Sequence, residues 1–279
     1  MKIIYHTILL SRPLNIFIAV SCVFIMSRLS DDINWLNAGL ASFVLFCFMS
    51  GANILNDYID IDADRINKPD RVLARGLINS NVTISIIIFI FSIGSYTATY
   101  LPELAKNIAL FMALPSILLY EIILKRIPLV GNIVISLLVG VVFVFSSYSL
   151  GIEGNESYKI MILAFFLNVI REIIKDIQDI EGDRRSGLRT FPIYFGVQKT
   201  IIVIRSIYLV FFIISLAPMY TQVYEWQYIP LLVFLIHVPL LYIIARLNDG
   251  ITQNECAKFS KILKIIIING IIILLISAN

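Results

Sequence analysis

The sequence predicts an all-α, polytopic membrane protein in which nine transmembrane helices surround a central cavity. Three observations predict it. Of 279 residues, 59% are hydrophobic and 15% charged, with a mean hydropathy of +0.89, too apolar for a water-soluble domain. Nine apolar segments of spanning length can be marked along the chain. A short acidic pattern then closes two of them. Asp57, Asp60 and Asp64 are spaced as Asp176, Asp179 and Asp183 are, and Asp60-Ile-Asp-Ala-Asp-Arg65 aligns with Asp179-Ile-Glu-Gly-Asp-Arg184. Such repetition predicts one domain, residues 1–279, with an internal repeat of about four helices plus a ninth. Its halves, about 1–125 and 126–279, would face a common centre.

The first segment, Pro13–Met26, runs on without a small-residue cleavage pattern and so reads as a membrane helix, not a cleaved signal. Leu36–Asn56 follows and ends in the first acidic stripe. Thr83–Tyr100 and Ala105–Leu124 complete the first half, the latter ending in Tyr120, Lys125 and Arg126. Leu129–Leu150 leads to Tyr158–Ile174, which closes on the second stripe. Thr200–Tyr220, Tyr228–Ala245 and Ile262–Ser277 finish the chain. Isoleucine and valine are frequent, but inside a bilayer the demand for internal hydrogen bonding holds such runs helical. Two connections are long, Ile61–Asn81 and Ile180–Lys199, and each follows an acidic stripe, where long loops in a compact protein tend to carry function. Cys22, Cys47 and Cys256 have no paired spacing and read as small buried hydrophobes.

Charge distribution orients the chain. With the N-terminus inside, all but three of the 22 lysines and arginines fall on or near the inner side; the exceptions are Arg28, Lys106 and Lys159. The outer connections carry Asp31, Asp32, Glu153, Glu156 and Glu225. The expected location is the plasma membrane, with the N-terminus and both acidic stripes at the cytoplasmic face. The net charge of +3 is small, and no nucleic-acid partner is expected.

On an ideal helix Asp57, Asp60 and Asp64 fall within an arc of roughly 60°, with Asn53 in the same arc. A carboxylate in a membrane helix costs roughly 2.5–3.5 kcal/mol at mid-bilayer and less near the interface. Aligned carboxylates also repel one another unless a cation lies between them. Oxygen ligands with no His or Cys nearby point to a hard cation, most simply Mg²⁺. Six aspartates outweigh two such ions, and a diphosphate adds further negative charge. Lys68, Arg71, Lys125, Arg126, Arg171, Lys175 and Arg184 are placed to neutralise it. Acidic groups, metal and basic groups beneath apolar helices fit a ligand with a diphosphate head and a lipid tail.

The segments Asn56-Asp-Tyr-Ile-Asp-Ile-Asp-Ala-Asp64 and Asp176-Ile-Gln-Asp-Ile-Glu-Gly-Asp183 resemble the two aspartate-rich motifs of the UbiA-type intramembrane prenyltransferases. The resemblance covers nearly the whole chain, including the tyrosine–lysine element after the fourth segment. Arg171 to Asp183 together with Ile66-Asn-Lys-Pro-Asp-Arg71 is most similar to the geranylgeranylglyceryl-phosphate geranylgeranyltransferase branch; Val72-Leu-Ala-Arg-Gly76 stands where relatives commonly have P-I-P-S-G. The resemblance implies a polyprenyl diphosphate donor, geranylgeranyl by the branch, and a lipid acceptor, geranylgeranylglyceryl phosphate, or an aromatic one as in quinone and chlorophyll enzymes. It implies Mg²⁺, two ions, held by Asn53, Asn56, Asp57, Asp60, Asp64, Asp176, Asp179 and Asp183. Ionisation to an allyl cation would follow, with Tyr120 among the tyrosines available to shield it.

Simpler roles account for other polar residues. Asn53 and Asn168 are placed to hydrogen-bond across helices, and Glu172 to pair with Arg171 or Lys175. Asp62 and Glu181 read as solvated, Asp70 as the partner of a neighbouring arginine, and Lys258, Lys261 and Lys264 as anchors at an anionic leaflet. Two other functions compete. A phosphatidyltransferase would carry one compact D-G-x-x-A-R motif, which this chain lacks. A divalent-cation transporter would place its acids near mid-membrane, without basic clusters that repel a free cation.

Overall fold

The computed structural model describes residues 2–28, 32–152, 155–217 and 227–277. Asp31, Glu153, Glu225 and the far end of the Thr200–Tyr220 segment lie outside the described residues. Within them the chain is all helix, with no strand. The helices are α1 (Lys2–Ser11), α2 (Pro13–Ser27), α3 (Trp35–Ile59), α4 (Ile61–Asn67), α5 (Ser80–Ala98), α6 (Glu103–Ile122), α7 (Val130–Ser149), α8 (Glu156–Gln178), α9 (Ile180–Arg185), α10 (Phe191–Phe195), α11 (Val197–Ser215), α12 (Tyr228–Arg246) and α13 (Gln253–Ser277).

Six of these, α3, α5, α6, α7, α11 and α12, are long and apolar enough to cross a membrane, and the bent pair α1–α2 makes a seventh if counted as one span. The sequence expects nine. The two further expected segments are helical, α8 and α13, with charges gathered toward the ends of α8 and in the first half of α13. In α8 these include Arg171, Glu172, Lys175 and Asp176; in α13, Glu255, Lys258, Lys261 and Lys264. The long loops after the stripes are also not bare: α4 occupies the start of the first, and α9 and α10 the second.

Local chemistry explains several boundaries. Asn34 caps α3 by accepting from the Asn37 amide at 3.0 Å, and Asn79 caps α5 through the Asn81 amide at 2.8 Å. In α6 the turn Ile108–Ala113 widens to π geometry just ahead of Pro115, and in α12 Val233–His237 does so ahead of Pro239. A mid-helix proline donates no hydrogen bond and crowds the preceding turn, and widening that turn accommodates it. The device appears once in each half of the chain.

Buried apolar side chains form two clusters, one running from Leu10 to Ile160 and the other from Leu167 to Ile273. Helix α8 passes from one to the other. Between them lies a cavity of about 320 Å³, walled by Val44, Phe48 and Phe143 of the first cluster and Leu167, Phe211 and Ile236 of the second. Polar residues from α3, α6 and α8 line part of it, so the space joins an apolar hollow to charged groups.

The hairpin of α7 and α8 depends on close approach at Gly140, where a Cβ would sit 2.7 Å from the Met161 carbonyl oxygen. That oxygen belongs to a helix backbone and cannot turn aside. Gly140→Val should therefore cost about 1–3 kcal/mol through overpacking. Gly39→Ala, which meets nothing within 4 Å, should change little. Thermal unfolding of the detergent-solubilised protein checks both.

Candidate active site

Each acidic stripe is built across a break between helices. Helix α3 stops at Ile59 and α4 starts at Ile61; α8 stops at Gln178 and α9 starts at Ile180. The central aspartates sit at the breaks with nearly identical backbone angles, Asp60 at φ −93°, ψ 14° and Asp179 at φ −97°, ψ 5°. Hydrogen bonding continues through both points, from Asp60 N to Asn56 O at 3.0 Å and from Asp179 N to Lys175 O at 2.9 Å. The uninterrupted helix and its roughly 60° arc, expected from spacing, are thus replaced by a swivel. A ψ near zero re-aims the following turn without opening the ladder.

Basic side chains thread between the carboxylates. Arg71 bridges Asp57 at 2.9 Å and Asp64 at 2.5 Å, and Arg12 also pairs with Asp57. Lys125 contacts Asp60 at 2.6 Å and Glu121 at 3.0 Å, and the Asn56 amide donates to the same two carboxylates at 3.0 and 3.1 Å. Lys68, from the loop after the first stripe, pairs with Asp179 of the second. Asn67 fastens this crossing, donating to the Asp179 carbonyl and accepting from the Gly182 amide, both at 2.9 Å. A Cβ on Gly182 would run into that Asn67 side chain. Asp176 accepts from Asn132 at 2.8 Å.

The two rows face each other. Burial first, and then the nearby carboxylates of Asp179, Asp176 and Asp60, pushes the Asp183 carboxyl up to about 8. Burial likewise raises Asp64 above the usual carboxylate range, against the pull of Arg71. Burial alone would lower Lys125, but Glu121 and Asp60 outweigh it and hold the ammonium above its ordinary value.

The donor set suits a hard divalent cation. It is all oxygen; Asp179 Oδ1 is buried without a hydrogen-bond partner, and Asp183 lies among carboxylates. Among the described residues no three His, Cys, Asp or Glu groups converge as a ready cage. Mg²⁺ needs none, because it keeps several waters and takes one or two carboxylates plus substrate phosphate oxygens.

Not every residue singled out from sequence joins this network. Arg126 and Arg184 are exposed and make no ion pair among the described residues. Arg171 and Lys175 pair with buried Glu172, at 2.5 and 2.7 Å, not with a row aspartate. Asn53 donates to the Ser11 carbonyl at 2.8 Å, and Asn168 to Ser136 at 3.1 Å, both ties between helices. Tyr120 lines the cavity. Asp62 and Glu181 are exposed partners of Arg65 and Arg185, while Asp70 is exposed and makes no ion pair among the described residues.

Four participants escaped sequence reasoning: Arg12, Asn67, Glu121 and Asn132. Glu121 had a signal, a lone acid in an apolar run four residues before Lys125. Arg12 had a weaker one, a cation beside the proline that opens α2. Its backbone is left-handed, φ 55° and ψ 71°, although the residue before a proline favours extended geometry. Such strain costs about 1–3 kcal/mol and persists where surrounding contacts over-determine it. Here the bend of 59° between α1 and α2 brings Arg12 onto Asp57.

Facing acidic rows at the edge of an apolar hollow, in an all-helical membrane chain, make this an integral membrane enzyme of the prenyltransferase class. The chain belongs to the UbiA prenyltransferase family, whose sequence model matches residues 15–268. It is 32% identical to the digeranylgeranylglyceryl phosphate synthase of Methanothermobacter thermautotrophicus over 253 residues, 90% of this chain and 89% of that one. A solved digeranylgeranylglyceryl phosphate synthase structure superposes with a TM-score of 0.77 at 26% identity, covering 99% and 98% of the two chains. A UbiA homologue from Archaeoglobus fulgidus, solved with GPP and Mg²⁺, shares the fold at a TM-score of 0.75 and 19% identity over 96% and 99%.

Lys125 is the cation whose loss the fold should feel most, since its side chain is 7% exposed and that of Glu121 only 4%. Lys125→Ala leaves Glu121 buried without its cation and should cost about 3–5 kcal/mol. Combining Glu121→Gln with Lys125→Met should recover part of that, because the buried Glu121 charge goes with its cation while Asp60 still loses its partner. Denaturation midpoints of the three proteins test the coupling.

Proposed function

We propose that the chain catalyses Mg²⁺-dependent transfer of a geranylgeranyl group from its diphosphate to geranylgeranylglyceryl phosphate, forming an ether at the glycerol hydroxyl. The observation that carries the reading is the pair of facing rows, tied by Lys68 to Asp179 across the loop, beside an apolar cavity. The relatives named as digeranylgeranylglyceryl phosphate synthases support the acceptor. The homologue solved with GPP and Mg²⁺ supports the donor class and the metal.

In this reading Asp57, Asp60 and Asp64 hold one ion and Asp176, Asp179 and Asp183 a second, with Asn56 assisting. When bound, Mg²⁺ supplies neutralisation of the leaving diphosphate. Lys68, Arg71 and Lys125 exchange their carboxylate contacts for diphosphate oxygens, a swap of charge-assisted hydrogen bonds that costs them little. The allylic C–O bond then ionises and the diphosphate leaves with the electron pair. The acceptor hydroxyl attacks the allyl carbon and gives its proton to the departing diphosphate, in a hollow whose apolar walls exclude water. Tyr120 lines the cavity, which supports a role in shielding the cation. The same cations argue against passage of free metal ions.

The wider expectations fit this arrangement. Nine spans follow if α2, α8 and α13 cross the membrane with the six apolar helices, Arg171, Glu172, Lys175 and Lys264 facing the cavity. The proline-linked π turns of α6 and α12 and the matched breaks at Asp60 and Asp179 support a repeat of about four helices in one domain. The basic loops support a cytoplasmic location for the N-terminus and the site, in the plasma membrane.

Purified protein given labelled geranylgeranyl diphosphate and Mg²⁺ should modify geranylgeranylglyceryl phosphate in preference to 4-hydroxybenzoate or dihydroxynaphthoate, the product being identified by mass. Asp60→Ala or Asp179→Ala should reduce turnover to background while the protein still elutes as folded material. Full activity of either variant in EDTA would remove the metal role.

A further inference from the structure

Beside the rows a second basic group lines the cavity: Arg171, Lys175 and Lys264, gathered around Glu172, with Arg12 shared between this group and the first row. None of the six row aspartates lines that space. Glu172 is buried and already engaged by Arg171 at 2.5 Å and Lys175 at 2.7 Å, while Arg12 is held by Asp57 and Asn56. Cationic capacity is left over. Lys264 makes no ion pair among the described residues, and the Arg171 Nε is buried without a hydrogen-bond partner. Buried donors of this kind are normally satisfied, and an unpaired ammonium among membrane helices is costly.

Helix α13 shows that the placement of Lys264 is selective. Lys258 and Lys261 are exposed, as leaflet anchors would be, whereas Lys264 turns to the cavity. The polar group lies against the apolar wall formed in part by Leu167 and Ile267. A ligand satisfying both must carry a compact anion on a greasy chain.

We infer that Lys264 and Arg171, backed by Arg12 and Lys175, form a subsite for the phosphomonoester of the lipid acceptor, separate from the donor's diphosphate site. The inference rests on the transfer to a phosphorylated glycerol lipid proposed above. A phosphomonoester carries roughly −1.5 to −2 charge and three acceptor oxygens, enough to engage both unused donors; Glu172 sets the geometry of Arg171 and Lys175. The subsite thereby selects phosphorylated acceptors and holds the glycerol hydroxyl near the rows.

The test compares geranylgeranylglyceryl phosphate with geranylgeranylglycerol as acceptors in steady-state kinetics of the full chain with Mg²⁺ and geranylgeranyl diphosphate. Lys264→Met adds only apolar character to a membrane helix, so folding is preserved. It should raise KM for the phosphorylated acceptor about tenfold or more, the scale of one lost charge-assisted hydrogen bond, with KM for the donor within twofold. Removing the acceptor phosphate should cost Lys264→Met much less than wild type, while exposed Lys261→Met should match wild type throughout. Equal effects of Lys264→Met on both acceptors, no effect on either, or a rise confined to donor KM would overturn the subsite. Wild-type protein that modifies only an aromatic acceptor would remove the functional reading and the subsite with it. Transfer to the phosphorylated lipid with an unresponsive Lys264→Met would remove the subsite alone.

Discussion

The structure depends on how six aspartates from opposite halves of one chain are kept together. Asp57, Asp64 and Asp183 are buried, and like charges so placed repel. They persist because cations are laid between them: Arg71 within the first row, Lys125 between Asp60 and Glu121, and Lys68 from the first loop to the second row. Ion pairs of this type add little net stability once desolvation is counted, but breaking one is expensive. Their effect here is positional. They hold two acidic surfaces at a fixed separation in the conformation seen, and they are the same residues a polyanionic head would recruit.

The swivels at Asp60 and Asp179 are what make the arrangement possible. An unbroken α3 would carry its third aspartate onward along the helix axis. The turn at the second aspartate instead folds α4 against α9, where Asn67 can bind the Asp179 carbonyl and the Gly182 amide. Gly182 is the residue that lets Asn67 approach. Below this crossing the two apolar clusters separate around the cavity, so a charged region and a greasy one adjoin.

Much of this was legible in the chain. Hydropathy gave the all-helical membrane class. The repeated aspartates marked where the candidate site lies, because carboxylates at the ends of such apolar runs are too costly to serve packing alone. Of the seven cations expected to neutralise a diphosphate, Lys68, Arg71 and Lys125 lie against row carboxylates. Less visible was anything that depends on tertiary geometry. Glu121 and Asn132 are remote in sequence from the aspartates they adjoin, and the strained backbone of Arg12 leaves no compositional trace. Arg171 and Lys175, five and one residues before Asp176, point to Glu172 and the cavity because a helix turns about 100° per residue. Periodicity also hid the breaks at Asp60 and Asp179, where hydrogen bonding continues although the backbone angles leave the helical range.

The most direct test is anomalous diffraction from crystals grown with Mn²⁺ in place of Mg²⁺ and a non-hydrolysable prenyl diphosphate. Manganese should appear between α3–α4 and α8–α9, within bonding distance of carboxylates from both rows, with the prenyl chain in the cavity. Manganese confined to the outside of one row, or a tail lying anywhere else, would contradict the account.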